Sequence, residues 1–141
     1  MTPHQKLLVQ STFAQVAPIA ETAATLFYAK LFELDPSLRL MFSSDVQEQG
    51  RKLMQTLTVA VRGLDNLDTL VPVVKALGAR HVGYGVQDRH YETVAAALLW
   101  TLQTGLGDAF TPEVREAWAT VYWLLGDTMK AGAAGPLART A

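Results

Sequence analysis

The chain has 141 residues, half of them hydrophobic, and 12 basic against 13 acidic side chains for a net charge of −1, which bounds it to about one domain with a single sizeable core. Charges of both signs are scattered, leaving no electrostatic footprint for nucleic acid or an anionic membrane surface. The absence of cysteine excludes disulfides, thiolate zinc sites, iron–sulfur clusters and a cysteine nucleophile, so any metal must take histidine or oxygen ligands.

Apolar residues recur at helical spacing almost throughout, predicting an all-α fold. The first helix starts at Thr2, with Pro3 in its first turn where a missing N–H costs nothing, and runs to about Ala17; Pro18 then restarts the chain in a new direction. A second helix carries Ala23, Leu26, Phe27, Leu31 and Phe32 and stops at Asp35-Pro36, since the residue before proline disfavours helix. Pro36 opens a short helix ending near Phe42. Ser43, Ser44 and Asp45 form a turn, and Ser44 with Gln47 fits a capping box for a third helix bearing Leu53, Leu57, Val61 and Leu64.

Gly63, Asp65 and Asn66 end that helix, and a fourth runs from Leu67 to about His81 with Leu70, Val73, Val74 and Leu77, Pro72 being tolerable only in the first turn. Asp88 caps a fifth helix with Val94, Leu98, Leu102 and Leu106, closed by Gly105 and Gly107. Thr111-Pro112-Glu113 reads as cap, first-turn proline and dipole-matched acid for a last helix bearing Val114, Trp118, Val121, Leu125 and Met129. Residues 1–131 then form the domain, and 132–141, with Gly132, Gly135 and Pro136, a disordered tail. No leader or membrane-spanning run of roughly 20 apolar residues occurs, so a soluble, cytoplasmic protein is expected.

Enzyme templates fit poorly. Gly83 and Gly85 supply a Gly-x-Gly, but position 88 is Asp and the stretch follows a helix rather than a strand. No nucleophile elbow, zinc-protease motif or calcium loop is present, and no catalytic residue is assigned.

The three histidines are unequal. His4 lies in the N-terminal segment, and His90 opens a capped helix as a surface or supporting group, whereas His81 shares a helical apolar face with Leu77. Such a histidine is either a hydrogen-bonded core residue or a ligand. An iron porphyrin needs one axial imidazole nitrogen while the other ring nitrogen donates to an acceptor, and a backbone carbonyl near Leu77 is available. Tyr28 lies on the core side of the second helix, where a buried phenol without a partner costs roughly 1–3 kcal/mol; it is either core filler or a donor to a bound molecule. Gln49, one turn before Leu53, faces either solvent or the core. Phe42 is either plain core or a stacking surface for a flat cofactor.

Taken together, Leu26-Phe27-Tyr28-Ala29-Lys30-Leu31-Phe32, Pro36 to Met41-Phe42, Gln49-Gly50-Arg51-Lys52-Leu53, Arg80-His81 with Gly85-Val86, His90-Tyr91, and Trp118 with Tyr122 resemble the globin family, in particular bacterial single-domain globins of the flavohaemoglobin class. The match covers residues 3 to about 130. The resemblance implies a globin fold, a three-over-three helical sandwich around one haem b (iron protoporphyrin IX). It implies His81 as the proximal iron ligand and Phe42 against the porphyrin, with Leu53, Leu77, Val86, Tyr91 and Val94 also around the cofactor. Arg80, which precedes His81 and carries a fixed positive charge, is either the propionate partner or a solvated helix-end residue.

Tyr28, Gln49 and Leu53 would form the distal pocket. There Tyr28 and Gln49 can each donate to bound ligand and slow oxygen release. Tyr91 matches the tyrosine that supports the proximal histidine together with a glutamate, whose position here falls at Ala133. Loss of that carboxylate leaves the imidazole less electron-rich and weakens O–O cleavage.

The resemblance therefore implies a haem protein that reversibly binds dioxygen for storage or delivery, with NO and CO as further ligands. The alternative is a nitric oxide dioxygenase served by a separate reductase, since the flavin and nicotinamide domains of a flavohaemoglobin are expected to be absent. No nucleic-acid or membrane partner is expected.

Overall fold

The computed structural model of the chain describes residues 1–41, 46–83 and 88–140, except the side chains of residues 41, 81–83, 88 and 133–140. Six α-helices and three 3₁₀ turns account for nearly all of it. Helix α1 (Pro3–Val16) begins one residue after Thr2, which is its cap: the Thr2 hydroxyl accepts from Gln5 N at 3.1 Å while Thr2 N donates to Gln5 Oε1 at 2.9 Å. This reciprocal box satisfies two otherwise orphaned donors.

A 3₁₀ turn around Pro18 (Ala17–Ile19) redirects the chain into α2 (Ala20–Leu34). Asp35 ends α2 in an extended conformation, and its carboxylate accepts from Ser37 N at 3.1 Å as the chain enters the 3₁₀ helix Pro36–Met41. Phe42, Ser43, Ser44 and Asp45 lie outside the described residues, and with them the expected capping box; α3 spans Val46–Gly63.

Helix α4 (Leu67–Gly83) contains Pro72 as its sixth residue, deeper than the first turn expected from sequence. The ring is exposed, and its costs are the N–H it removes from the helical ladder and its crowding of the Asp68 carbonyl one turn earlier. Helix α5 (Asp88–Leu106) includes Gly105, and it is Gly107, at φ +56°, that turns the chain through the left-handed region into a 3₁₀ turn (Gly107–Ala109). Thr111 Oγ1 then accepts from Val114 N at 3.2 Å at the start of α6, Pro112–Thr140. Residues 132–140, assigned to a tail from sequence, continue this helix, and Gly132 is buried against α4.

The helices form two layers, α1, α3 and α4 across α2, α5 and α6, with the core between them built from Val9 and Phe13 of α1, Phe27 and Leu31 of α2, Leu98 and Leu102 of α5, and Trp118 and Val121 of α6. One polar link crosses this core: Trp118 Nε1 donates to Thr12 Oγ1 at 2.9 Å, and the Thr12 hydroxyl donates to Leu8 O at 2.6 Å. Thr12→Val keeps the volume but orphans a buried indole N–H. It is expected to cost about 1–3 kcal/mol, read as a lower urea midpoint at unchanged slope.

Two close crossings set the positions of α3 and α4. A Cβ at Gly50 would stand 2.9 Å from Ala24 Cβ, so α3 lies on α2 as closely as these residue types allow. A Cβ at Gly78 would stand 2.0 Å from Met129 O, and one at Gly132 would stand 2.2 Å from Lys75 O. The pairings 75 with 132 and 78 with 129 make this crossing antiparallel, and the α4–α6 pair is the most extensively packed of the fold.

Candidate functional site

Helices α3 and α4 meet at their shared turn, where a Cβ on Gly63 would come within 2.8 Å of Leu70. Beyond it α3 follows α2 and α4 follows α6, and the two touch each other little. The result is a cleft. Gln49, Leu53 and Leu57 recur every fourth residue along one face of α3, all half-buried; Leu70 and Val74, both buried, and half-buried Leu77 recur at three- and four-residue steps along α4. Residue 81 is one turn beyond Leu77.

On the α3 side, Tyr28 of α2 is 5% exposed and its hydroxyl donates to the Gln49 main-chain carbonyl at 3.3 Å. Its ring meets Phe27 edge-on at 5.1 Å. Burial pushes the phenol up to about 12, so it stays protonated, and a donor, throughout the neutral range. Tyr28 thus meets the main chain of Gln49, its proton engaged by a backbone carbonyl, and Leu53 lies one turn further along α3.

The α4 side is built by α5 and α6. Tyr91 of α5 is buried, Tyr122 Oη donates to its main-chain carbonyl at 2.6 Å, and a Cβ on Gly126 would sit 3.6 Å from the Tyr91 ring. Burial raises the Tyr122 phenol, and neighbouring Tyr91 adds to the rise. Lys130, one turn after Gly126, holds its Nζ 5.0 Å from the centre of the Tyr91 ring and 5.4 Å from that of Trp123. In the antiparallel crossing, one more turn along both helices from the 78–129 pair sets residues 81–82 level with residues 125–126. Tyr91 packs on Gly126, at the level of α6 that this register sets opposite the segment of α4 carrying His81.

Of the remaining expected site residues, Val94 is half-buried and Arg80 is exposed. Phe42 and Val86 lie outside the described residues, as do the side chains of His81 and Ala133. His90 is 3% exposed, so it is not a surface residue; exposed His4 pairs with Glu113 at 3.0 Å. Sequence reasoning missed Lys130, and nothing in its local pattern signals it. Among the described residues no three His, Asp or Glu side chains converge as a metal site. The core also encloses a cavity of about 20 Å³ bordered by Phe13, Phe27, Leu53, Leu57, Leu102 and Trp118, which has room for a diatomic molecule and not for a porphyrin.

The globin family model matches residues 25–129. The chain belongs to the globin family. A flavohemoprotein of Xylella fastidiosa is 33% identical over 132 residues, covering 92% of this chain and 33% of that protein; one of Bacillus subtilis is 31% identical over 123 residues, covering 85% and 31%. This globin thus spans about a third of the length of the curated relatives it matches first. Neuroglobin of Danio rerio, by contrast, matches nearly end to end: 29% identity, 94% of this chain and 92% of that one.

Among solved structures, an engineered carbene transferase from Rhodothermus marinus superposes at a TM-score of 0.88 with 24% identity, covering 99% of this globin and 98% of that chain. A hexacoordinated heme protein from an anhydrobiotic tardigrade superposes at 0.85 with 21% identity, covering 94% and 95%. Both share the all-α globin fold. No helix among the described residues is long and apolar enough to cross a membrane.

Proposed function

We propose that this globin holds haem b in the α3–α4 cleft, with His81 as the iron ligand, and reversibly binds dioxygen there. The proposal is supported by a buried phenol, Tyr28, protonated at neutral pH and donating to the Gln49 carbonyl, and by the apolar residues Leu53 and Leu57 on α3 and Leu70, Val74 and Leu77 on α4. The residues suit the group. Half-buried Leu53, Leu57, Leu77 and Val94 offer apolar surface to a flat molecule, a single imidazole suffices because the macrocycle supplies the other nitrogens, and a chain without cysteine cannot form the thioether links of a c-type haem.

When bound, haem supplies the iron that takes the gas. His81 would hold it from α4, and exposed Arg80, the preceding residue, would pair with a propionate. Tyr28 would donate to the bound gas in place of the Gln49 carbonyl, giving up a 3.3 Å hydrogen bond that is long for an O–H donor. Leu53 and Leu57 keep water from that donor, which strengthens it in the resulting low dielectric. Gln49 supplies a second donor from α3.

Titration of the purified chain with haem tests the proposal: a stoichiometric Soret band is expected, and its absence would sink it. Tyr28→Phe is expected to raise the oxygen dissociation rate about ten- to a hundredfold, the worth of one hydrogen bond to a partly charged acceptor, as read by stopped-flow displacement. The flavohemoprotein relatives favour a second activity, nitric oxide dioxygenation, which consumes one electron per nitrate and so needs a reductase. Sustained nitrate formation from the oxygenated protein, nitric oxide and an electron donor would establish it; a single turnover leaves a carrier.

A further inference from the structure

We propose that the Lys130 ammonium is a built-in positive charge on the α4 side of the site that raises the ferrous-to-ferric ratio of the haem bound there. The inference rests on the haem proposal above. Lys130 is half-buried, with its Nζ 5.0 Å from the Tyr91 ring centre and 5.4 Å from that of Trp123, and it makes no ion pair among the described residues. A lysine serving only solubility extends into water, whereas this one is folded back over two aromatic faces, which attract a cation without neutralising it.

The helix register fixes what this charge faces. Met129, its neighbour, touches the Gly78 position of α4, and Gly126, one turn earlier, touches the Tyr91 ring level with residues 81–82. One helical turn separates these points and packed helices lie about 8–10 Å apart, so the ammonium stands on the order of 10 Å from the α4 backbone that carries His81. Tyr91 is buried, covered on one side by Lys130 and fixed through its carbonyl by Tyr122 at 2.6 Å. A one-electron oxidation adds a positive charge to the iron. A cation at about 12 Å, through an effective dielectric of about 20–40, disfavours that added charge by about three- to tenfold in the ferrous-to-ferric ratio. The protein sets redox balance through such fixed charges as well as through the axial ligand.

The test compares wild-type holoprotein with Lys130→Met, Lys130→Gln and Lys130→Arg in one mediator couple at fixed ambient potential, reading the ferrous and ferric fractions from the visible spectrum. Methionine preserves the stem packed on Tyr91 and Trp123 while removing the charge; glutamine removes the charge with a polar end, so that a folding failure of either variant leaves the other decisive. Both are expected to lower the ratio about three- to tenfold, with arginine within about twofold of wild type. A fall of equal size in the arginine variant, or ratios unchanged in the methionine and glutamine variants despite normal Soret bands, would overturn the role of Lys130 alone. No Soret band in the wild-type protein would overturn this inference and the haem proposal together.

Discussion

Gly78→Ala is expected to destabilise the fold by about 3 kcal/mol, despite the roughly 1 kcal/mol that alanine gains over glycine in a helix. The added methyl would stand 2.0 Å from Met129 O and 2.6 Å from Met129 C, both backbone atoms of a neighbouring helix that cannot rotate away as a side chain can. Relief requires α4 and α6 to separate by roughly 1 Å, loosening the contacts of both helices along their length. Gly132→Ala meets the same obstacle at Lys75 O, 2.2 Å away. One separation relieves both clashes, so the double variant is expected to lose less than the sum of the single ones. Gly105→Ala is the control: its methyl would lie 3.4 Å from the end of the Ile19 side chain, and it is expected to be neutral or slightly stabilising. Chemical denaturation of the four variants gives all these values. An unchanged midpoint for Gly78→Ala would mean that the helices do not approach so closely in solution.

These glycines also mark where sequence stops being informative. The caps at Thr2 and Thr111 were within reach of local chemistry, because the oxygen and the N–H it serves lie three residues apart. The inward faces of α2 and α6 follow from the 3.6-residue period, which places Phe27, Tyr28 and Trp118 toward the core. Gly132 had no such signal. Beside Gly135 and Pro136 it has the composition of a helix end, and only the approach of Lys75 on another helix makes it a packing position. His90 likewise sits in the first turn of α5, where exposure is the ordinary outcome, and its burial is set by what packs over that turn.

The candidate site divides in the same way. Period and the resemblance to globins together put Tyr28, Gln49 and Leu53 on one wall. The hydrogen bond from Tyr28 to the Gln49 carbonyl joins residues 21 apart through a crossing permitted by Gly50 against Ala24, and local patterning cannot show it. Lys130 was invisible as a site residue because a lysine on a terminal helix ordinarily points to solvent. It took the bare Gly126 position to bring the Tyr91 ring under its reach.

His81→Gly is expected to abolish stable haem binding, weakening it by at least about a hundredfold, since loss even of a group that supports a metal ligand costs ten- to a hundredfold. The chain has only three histidines. His4 is exposed and paired with Glu113 at the far end of α6, out of reach of the cleft. His90 is the real competitor, being buried at the start of α5 one residue before Tyr91. The two candidates separate cleanly in a pair of variants. If His81 is the ligand, His90→Gln retains the Soret band while His81→Gly loses it, and added imidazole, entering the space left by the deleted side chain, restores the band to the glycine variant and has no such effect on the other. Rescue requires that the pocket still stands without its ligand, and the α4–α6 contacts of Gly78 with Met129 and of Lys75 with Gly132, which precede residue 81 along α4, do not depend on the iron. Retention of the band in His81→Gly with its loss in His90→Gln would move the iron ligand to α5, and with it the cofactor away from the α3–α4 cleft.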